Sequence, residues 1–459
     1  MTVTRTALVL DMMGRDYRGS VPASAAPSPA PRSVVVVGAG LAGLRSVAEL
    51  RAQGFDGEVT VVGAEPVPPY DRPPLSKELF SRVEPVWLSG EGYGDLADLA
   101  DRVLRGRRAT AVRAGDDGVV LTVAPVDAAD AGALTLRADV AVLATGAQPV
   151  RPAGWAGAAE LHTVADAAAL RGRLTPGTRL VVVGAGWIGA ELAGQAAARG
   201  CAVTVVEAAS TPLYRQLGAD LGARTAPWYA AAGVELRCGA PVTAVEPGAV
   251  TLAGPDGAPG ERLAADVVVT AVGVRPATGW LAGALPLTGR GALRVDPAGR
   301  VAGAPASLRA VGDCADMEVP GLGLVPGGHW DAALTHPAGV VAGLLGHDVP
   351  APGAPYVFST QLGHDLAFVG APTEAATVLL RGDPDGAWSA LLVEQGPAGT
   401  GRLTAGFTVD RPRDVVPLRK LLAAGARPLL DLARAADAAV PLRKAVLAAD
   451  LAGPASAPA

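Results

Sequence analysis

The chain's clearest signal is a run of four β-branched residues, Val34-Val35-Val36-Val37, apolar at every position rather than at every second one. That pattern suits a strand buried on both faces of a parallel sheet. Gly38-Ala39-Gly40-Leu41-Ala42-Gly43 follows, then a stretch to Gln53 with helical spacing of its apolar positions, closed by Gly54; residues 58–62 read as the next strand. The design returns at 180–183, with Gly184-Ala185-Gly186-Trp187-Ile188-Gly189, a helix to Arg199 closed by Gly200, and a strand at 202–206. Further buried strands are predicted at 138–143, ending in Ala144-Thr145-Gly146, at 266–272, ending at Gly273, and at 308–311, ending in Gly312-Asp313. Beyond about residue 350 the runs shorten and alternate (356–359, 366–369, 389–393, 403–409), and an amphipathic helical tail is predicted from Val415. Before the first strand, residues 21–31 are rich in Ser, Pro and Ala; residues 1–31 are expected to form a flexible tail, with Met12 and Met13 as alternative starts.

Composition narrows the class. Half of the 459 residues are apolar and 18% are charged, which excludes a largely disordered chain. Aromatics are 4%, so the cores are aliphatic; the net charge of -5 argues against a nucleic-acid binder. Lysine occurs only at 77, 420 and 444, a bias we attribute to codon usage. Cys201, Cys238 and Cys314 form no close pair, which points to a reducing compartment without a structural disulfide or a zinc site. The longest apolar runs fall well short of the ~18 residues that span a bilayer, and residues 7–10 are too few for a signal core before Asp11. The expectation is a soluble, cytoplasmic protein with no metal site.

A glycine cluster between a buried strand and a helix is a phosphate cradle. The first glycine makes the tight turn, the second leaves room for a pyrophosphate, and the third lets helix and strand approach. Such a unit also needs an acid after its second strand to accept from ribose hydroxyls. Glu65 is the candidate in the first unit and Glu207 in the second. Two strand-led, helix-followed, acid-terminated copies predict two dinucleotide sites and hence electron transfer between two cofactors. Glu207, followed by Ala208 and Ala209 with no cation, favours NADH over NADPH. The fold class expected is α/β: two Rossmann-like, doubly wound dinucleotide-binding domains plus a C-terminal α+β domain.

Residues 34–43, the run Pro69-Tyr70-Asp71-Arg72-Pro73-Pro74-Leu75-Ser76-Lys77, Ala144-Thr145-Gly146, 184–191 and Val311-Gly312-Asp313 together resemble the FAD-dependent ferredoxin reductases of the pyridine nucleotide–disulfide oxidoreductase superfamily. This group includes putidaredoxin-type and dioxygenase-type reductases, with the glutathione-reductase type of double Rossmann fold. The resemblance spans about 33–445. It implies FAD on Gly38, Gly40, Leu41, Ala42 and Gly43, and NADH on Gly184, Gly186, Ile188, Gly189 and Gly273. It implies a discontinuous FAD domain (32–154 and 281–350), an NAD domain (155–280) and a third domain (351–459). It also implies that Asp313 holds the ribityl chain, that Arg72 and Lys77 lie along the flavin with Lys77 near N5, that Glu191 sits beside Lys77 and the nicotinamide, and that Trp330 packs at the pyrimidine side. Lys77 and Glu191 are thereby the catalytic candidates, with the nicotinamide C4 expected over flavin N5.

Disulfide reductases of the superfamily carry a cysteine pair on the helix after the first glycine cluster; residues 41–53 contain none, and 73–82 contain no flavin-side cysteine. Electrons are therefore expected to leave singly to an acidic [2Fe-2S] ferredoxin that feeds a P450 or an oxygenase. Residues 401–450 hold nine Arg or Lys against five Asp, a basic patch suited to docking such a partner. Two stretches depart from the family pattern. Tyr356-Val357-Phe358-Ser359-Thr360-Gln361 stands where Trp-Phe-Trp-Ser-Asp-Gln is common, and Pro326-Gly327-Gly328-His329 lacks the Arg and Glu usual before the Trp330 position. Both leave the acceptor open. The alternatives are an apoptosis-inducing-factor-like flavoprotein that responds to NADH, and an oxidoreductase acting directly on a quinone or another small molecule.

Overall fold

The computed structural model describes residues 31–127, 132–155, 157–254 and 258–447. The expected tail, apart from Pro31, lies outside them. Strand Ser33–Val37 forms the middle of a five-stranded parallel sheet, flanked by Glu58–Gly63 and Val140–Leu143, with Arg102–Arg105 and Leu308–Ala310 at the edges. Val34 to Val37 are all buried, as their unbroken apolar run requires. The second glycine unit is built the same way: Arg179–Val183 lies between Ala202–Val206 and Val267–Thr270, with Glu235–Arg237 outermost and every pairing parallel.

Each parallel sheet is accompanied by a three-stranded antiparallel sheet that the sequence reading did not anticipate. One comprises Arg107–Gly115, Gly118–Pro125 and Leu134–Ala138; the other Val242–Glu246, Ala249–Ala253 and Pro259–Ala264. The strand expected at 138–143 is in fact two. Asp139 breaks it, its Oδ2 accepting from the backbone N–H groups of Arg32 (2.6 Å) and Ser33 (3.0 Å). The chain crosses between the two units where Ala147–Pro149 pairs antiparallel with Val274–Pro276.

Beyond residue 355 an antiparallel sheet runs in the order Tyr356–Gln361, His364–Gly370, Thr400–Val409, Trp388–Gln395, Ala376–Gly382. The helical tail expected from Val415 is corrected to the helix Pro412–Leu421 and, further on, the short helix Leu432–Ala436. Ala424 and Gly425 then adopt positive φ, and Leu429–Asp431 returns to the sheet beside Thr400–Arg402. The second unit packs on this sheet through Leu213, Leu217 and Leu221 against Leu366, Trp388 and Phe407.

The basic patch also needs correction. Arg411 is buried and donates to Asp414 at 2.5 Å, beside Arg381 on the same carboxylate. Arg419 pairs with Asp331 at 2.7 Å, and Arg427 with Glu394 at 3.5 Å. Of the nine cations, Arg411 and Arg427 thus hold the third domain together, and Arg419 ties it to the helix that carries Asp331. Among the described residues, no helix is long and apolar enough to cross a membrane.

Candidate functional site

Both glycine clusters fold for the same steric reason. A methyl group on Gly38 would lie 2.0 Å from the Ala144 carbonyl oxygen, and one on Gly43 would lie 1.9 Å from that of Gly38. In the second unit, a methyl on Gly184 would meet Ala271 O at 2.5 Å and one on Gly189 would meet Gly184 O at 2.0 Å. Gly40 and Gly186 differ: a methyl there would meet nothing within 4 Å. These two are the N-caps of helices Leu41–Ala52 and Trp187–Ala198, which have no side-chain cap and no acid in the first turn. First-turn N–H groups with no side-chain cap, below a space that a Cβ would fill, fit an anionic pyrophosphate.

This contrast makes a prediction. Gly189→Ala should lower stability by about 2 kcal/mol or more, because backbone has to move. Gly186→Ala should leave the melting temperature unchanged and raise KM for NADH by about 10-fold. Thermal melts and steady-state kinetics on the two variants check it; equal loss of stability in both would contradict the assignment.

The remaining expected cofactor residues gather at the C-terminal ends of the two parallel sheets. Ala144, Thr145 and Gly146 follow strand Val140–Leu143, and Cys314, fully buried, donates to Leu143 O. Asp313 follows Gly312 at the end of the neighbouring strand. No cation among the described residues lies within ion-pair distance of it, and burial pushes its carboxyl upward against the pull of Arg72 and the Gly328 N–H. A half-buried carboxylate without a counter-ion suits a ligand that brings hydroxyl donors. In the second unit Gly273 has φ +111° with the Arg215 guanidinium across from it, and Ile188 is 41% exposed at the mouth of the glycine loop.

The two candidate ribose acids are not equivalent. Glu207 comes directly after strand Ala202–Val206, and its carboxylate accepts from Ala185 N and Ala209 N, both at 2.8 Å, so it lies on the glycine loop. Glu65 comes two residues after its strand. One oxygen accepts from Tyr70 Oη and the other from Arg72 Nη2, each at 2.6 Å. Arg72 also donates to His162 O and Tyr70 Oη accepts from Val164 N, so this network links the first unit to the chain entering the second.

Lys77 and Glu191 meet. Lys77 ends the short helix Pro74–Lys77 of the first unit, and Glu191 lies one turn into the second unit's helix Trp187–Ala198. Their Nζ–Oε1 distance is 2.7 Å, with side chains 17% and 2% exposed. Ser76 Oγ donates to the other Glu191 oxygen at 2.5 Å, and Ser359 Oγ, from the third domain, to Oε1 at 2.5 Å. The Lys77 ammonium stands 5.1 Å from the centre of the Phe358 ring, which packs edge-on against Trp330 at 5.9 Å. Trp330 opens the helix Trp330–Leu345 and is fixed by its indole N–H donating to Asp71 Oδ1 at 2.7 Å; burial pushes the Asp71 carboxyl up, and this hydrogen bond opposes it. The sequence reading missed Ser76, Phe358, Ser359 and Asp71 as members of this cluster. Asp71 and Ser76 lay within the quoted run, and the departures at 356–361 had already marked that strand.

A model of the pyridine nucleotide-disulphide oxidoreductase family matches residues 32–332, and one of the reductase C-terminal domain matches residues 356–446. The ferredoxin–NAD(+) reductase component of the anthranilate 1,2-dioxygenase system of Burkholderia cepacia is 35% identical, with 89% of this chain and 98% of that protein covered. Rhodocoxin reductase of Rhodococcus erythropolis is 32% identical over 85% of this chain and 89% of its own length. Among solved structures, the covalent putidaredoxin reductase–putidaredoxin complex superposes with a TM-score of 0.80 at 28% identity, covering 92% of this chain and 99% of that chain. With its paired glycine-loop units and its third sheet, the chain belongs to the pyridine nucleotide-disulphide oxidoreductase family and carries a reductase C-terminal domain.

Proposed function

We propose that the chain is an NADH-dependent FAD flavoprotein that passes electrons to a ferredoxin-type iron–sulfur protein serving a P450 or an oxygenase. The observation that carries this reading is the Lys77–Glu191 pair: the lysine belongs to one nucleotide-binding unit and the carboxylate to the other, so the two cradles open on one shared place. The names of the Burkholderia and Rhodococcus relatives support it. The proposed division is an FAD domain of 32–154 with 281–350, an NAD domain of 155–280 and a third domain of 351–459. The return of Leu308–Ala310 to the first sheet supports that interruption.

Bound FAD supplies the conversion of a hydride's two electrons into single-electron transfers. The chain's own residues bind and orient. Gly38, Gly40 and Gly43, with Leu41 and Ala42 opening the helix, take one pyrophosphate; Gly184, Gly186 and Gly189, with Ile188, take the other. Asp313 accepts from the hydroxyls of the polyol, and Ala144, Thr145 and Gly146 close the floor. Glu65 serves the first nucleotide through the Tyr70–Arg72 network, Glu207 accepts from the ribose of NADH, and Gly273 lets the nicotinamide end approach the backbone. Trp330, pinned by Asp71, borders the reacting end. Lys77 would supply a positive charge to the bound flavin, and Glu191 aims that ammonium.

Stopped-flow absorbance tests the reading. NADH should bleach the bound FAD rapidly, and colour should return fast, without oxygen, only when an oxygenase-type [2Fe-2S] ferredoxin is added. A long-lived reduced complex that ignores ferredoxin, or turnover with a quinone alone, would sink it.

For the partner, the proposed docking surface is the outer face of the third domain, where Arg413, Lys420, Arg434, Arg443 and Lys444 are exposed. Val416, 58% exposed, stands one turn before Lys420 on the same helix. Basic side chains around an apolar contact suit an acidic partner, with association that weakens as salt rises. The three unpaired thiols support a reducing, cytoplasmic setting.

A further inference from the structure

We propose that Ser359 is a positioning residue for the Lys77–Glu191 pair, so that the third domain, through a single hydroxyl, holds in place the charge shared by the two nucleotide-binding units. The proposal rests on the functional reading above and adds to it a positioning contact from the third domain.

Glu191, on the second unit, receives donors from two separate elements: Lys77 and Ser76 from the first unit's helix Pro74–Lys77, and Ser359 from the third domain's strand Tyr356–Gln361. Strand alternation explains how one strand serves both sides of the site. Phe358 faces Lys77 and Trp330, while Ser359 and Gln361, both buried, share the opposite face. Gln361 Nε2 donates to Ser359 Oγ at 3.1 Å. That direction leaves the single Ser359 proton to the carboxylate. The chain Gln361 to Ser359 to Glu191 therefore runs one way, and it converges with Lys77 on the same oxygen, Oε1. Charge-assisted hydrogen bonds of this kind fix direction as well as distance. Without Ser359, Oε1 would keep Lys77 alone, the carboxylate would lose the donor that fixes its direction from the third domain, and the ion pair would loosen. The strand is itself secured to the second unit nearby, where Gly194 packs against the backbone of Leu362, so Ser359 acts from a fixed base.

The chain offers its own reporter, because lysine occurs only at 77, 420 and 444. In the purified, FAD-loaded protein without NADH, brief acylation with an amine-specific reagent and mass-spectrometric mapping gives the labelling of Lys77 relative to exposed Lys420. We expect Ser359→Ala to raise that ratio about 3-fold and Ser359→Thr, which keeps the hydroxyl, to return it to the original value. In stopped flow, Ser359→Ala should slow NADH-driven flavin reduction about 10-fold, leave the NADH dissociation constant unchanged, and have no further effect in a Glu191→Gln background. An unchanged labelling ratio, or an equal slowing with and without the Glu191 carboxylate, overturns the proposal. Gln361→Leu, which leaves the Ser359 hydroxyl in place but frees its direction, should give an intermediate ratio; a value as high as in Ser359→Ala together with normal reduction kinetics would likewise overturn it. If NADH fails to bleach the unmodified protein, the functional reading falls first, whereas normal bleaching with an inert Ser359 removes this proposal alone.

Discussion

Lys77→Ala is expected to slow flavin reduction by NADH about 10²-fold, the usual cost of removing one preorganised charge from a reacting centre. It should also destabilise the protein. Glu191 is 2% exposed, and losing its cation leaves a buried carboxylate held only by Ser76 and Ser359, at a cost of ~3 kcal/mol. The two effects can be separated. Adding Glu191→Gln removes the stranded charge, so the double variant should recover most of the lost stability while remaining slow. Thermal melts and single-turnover absorbance on the two proteins decide it. If the double variant recovers rate along with stability, Lys77 is a structural ion-pair partner and not a catalytic residue. Lys77→Arg is a useful companion: it keeps the charge, but the planar guanidinium cannot reproduce the ammonium's place above Phe358, so partial activity is expected.

The sequence made the centre of this molecule readable and its borders much less so. Strands such as Ser33–Val37 and Arg179–Val183 announce themselves because burial on both faces demands apolar residues throughout, and the first and third glycine behind each are dictated by backbone approach under 2.6 Å. The small antiparallel sheets carry no such demand. Arg107–Gly115 alternates buried Ala109 and Val112 with exposed arginines over a bulge, which blurs the two-residue period. The same loss of period hid Ala376–Gly382, and Arg381 within it is a buried cation explained by Asp414, 33 residues on, and by the carbonyls of Ala435, Asp437 and Val440, all distant in sequence. The helical tail was overread because Leu, Ala and Arg favour helix locally; the positive φ of Ala424 and the pairing of Leu429–Asp431 are tertiary outcomes. At the site, Lys77 and Glu191 were reached through family resemblance. Their serine partners were not, since Ser359 lies 168 residues from Glu191 and a lone serine in a strand carries no signal. The basic patch shows the reverse error: charge counted along the chain cannot tell exposed Arg413 from buried Arg411.

Replacing Glu207 and Ala208 together by arginine should invert coenzyme preference, moving the ratio of kcat/KM for NADH over NADPH by about 10³-fold. Glu207 is the first residue after strand Ala202–Val206, and its carboxylate is pinned to the glycine loop by Ala185 N and to its own turn by Ala209 N. A carboxylate so placed accepts from ribose hydroxyls and repels a phosphate in the same position. Ala208 and Ala209 offer that phosphate no donor, and Arg237, on the adjacent strand, is engaged by Glu235 and Glu261. Two new guanidinium groups would remove the repulsion and add charge-assisted hydrogen bonds of about 1.5–3 kcal/mol each, which together reach the stated ratio. Glu207→Gln isolates the repulsion alone and should weaken NADH only modestly while allowing measurable NADPH turnover. The controls follow from the same contacts: the double arginine variant frees the N–H groups of Ala185 and Ala209 and Glu207→Gln frees one of them, so some loss of stability is expected in each, and a selectivity change must be read as a ratio of the two coenzymes in one protein. Unaltered selectivity in the double arginine variant, with FAD content intact, would place the ribose elsewhere and leave Glu207 as a brace for the glycine loop.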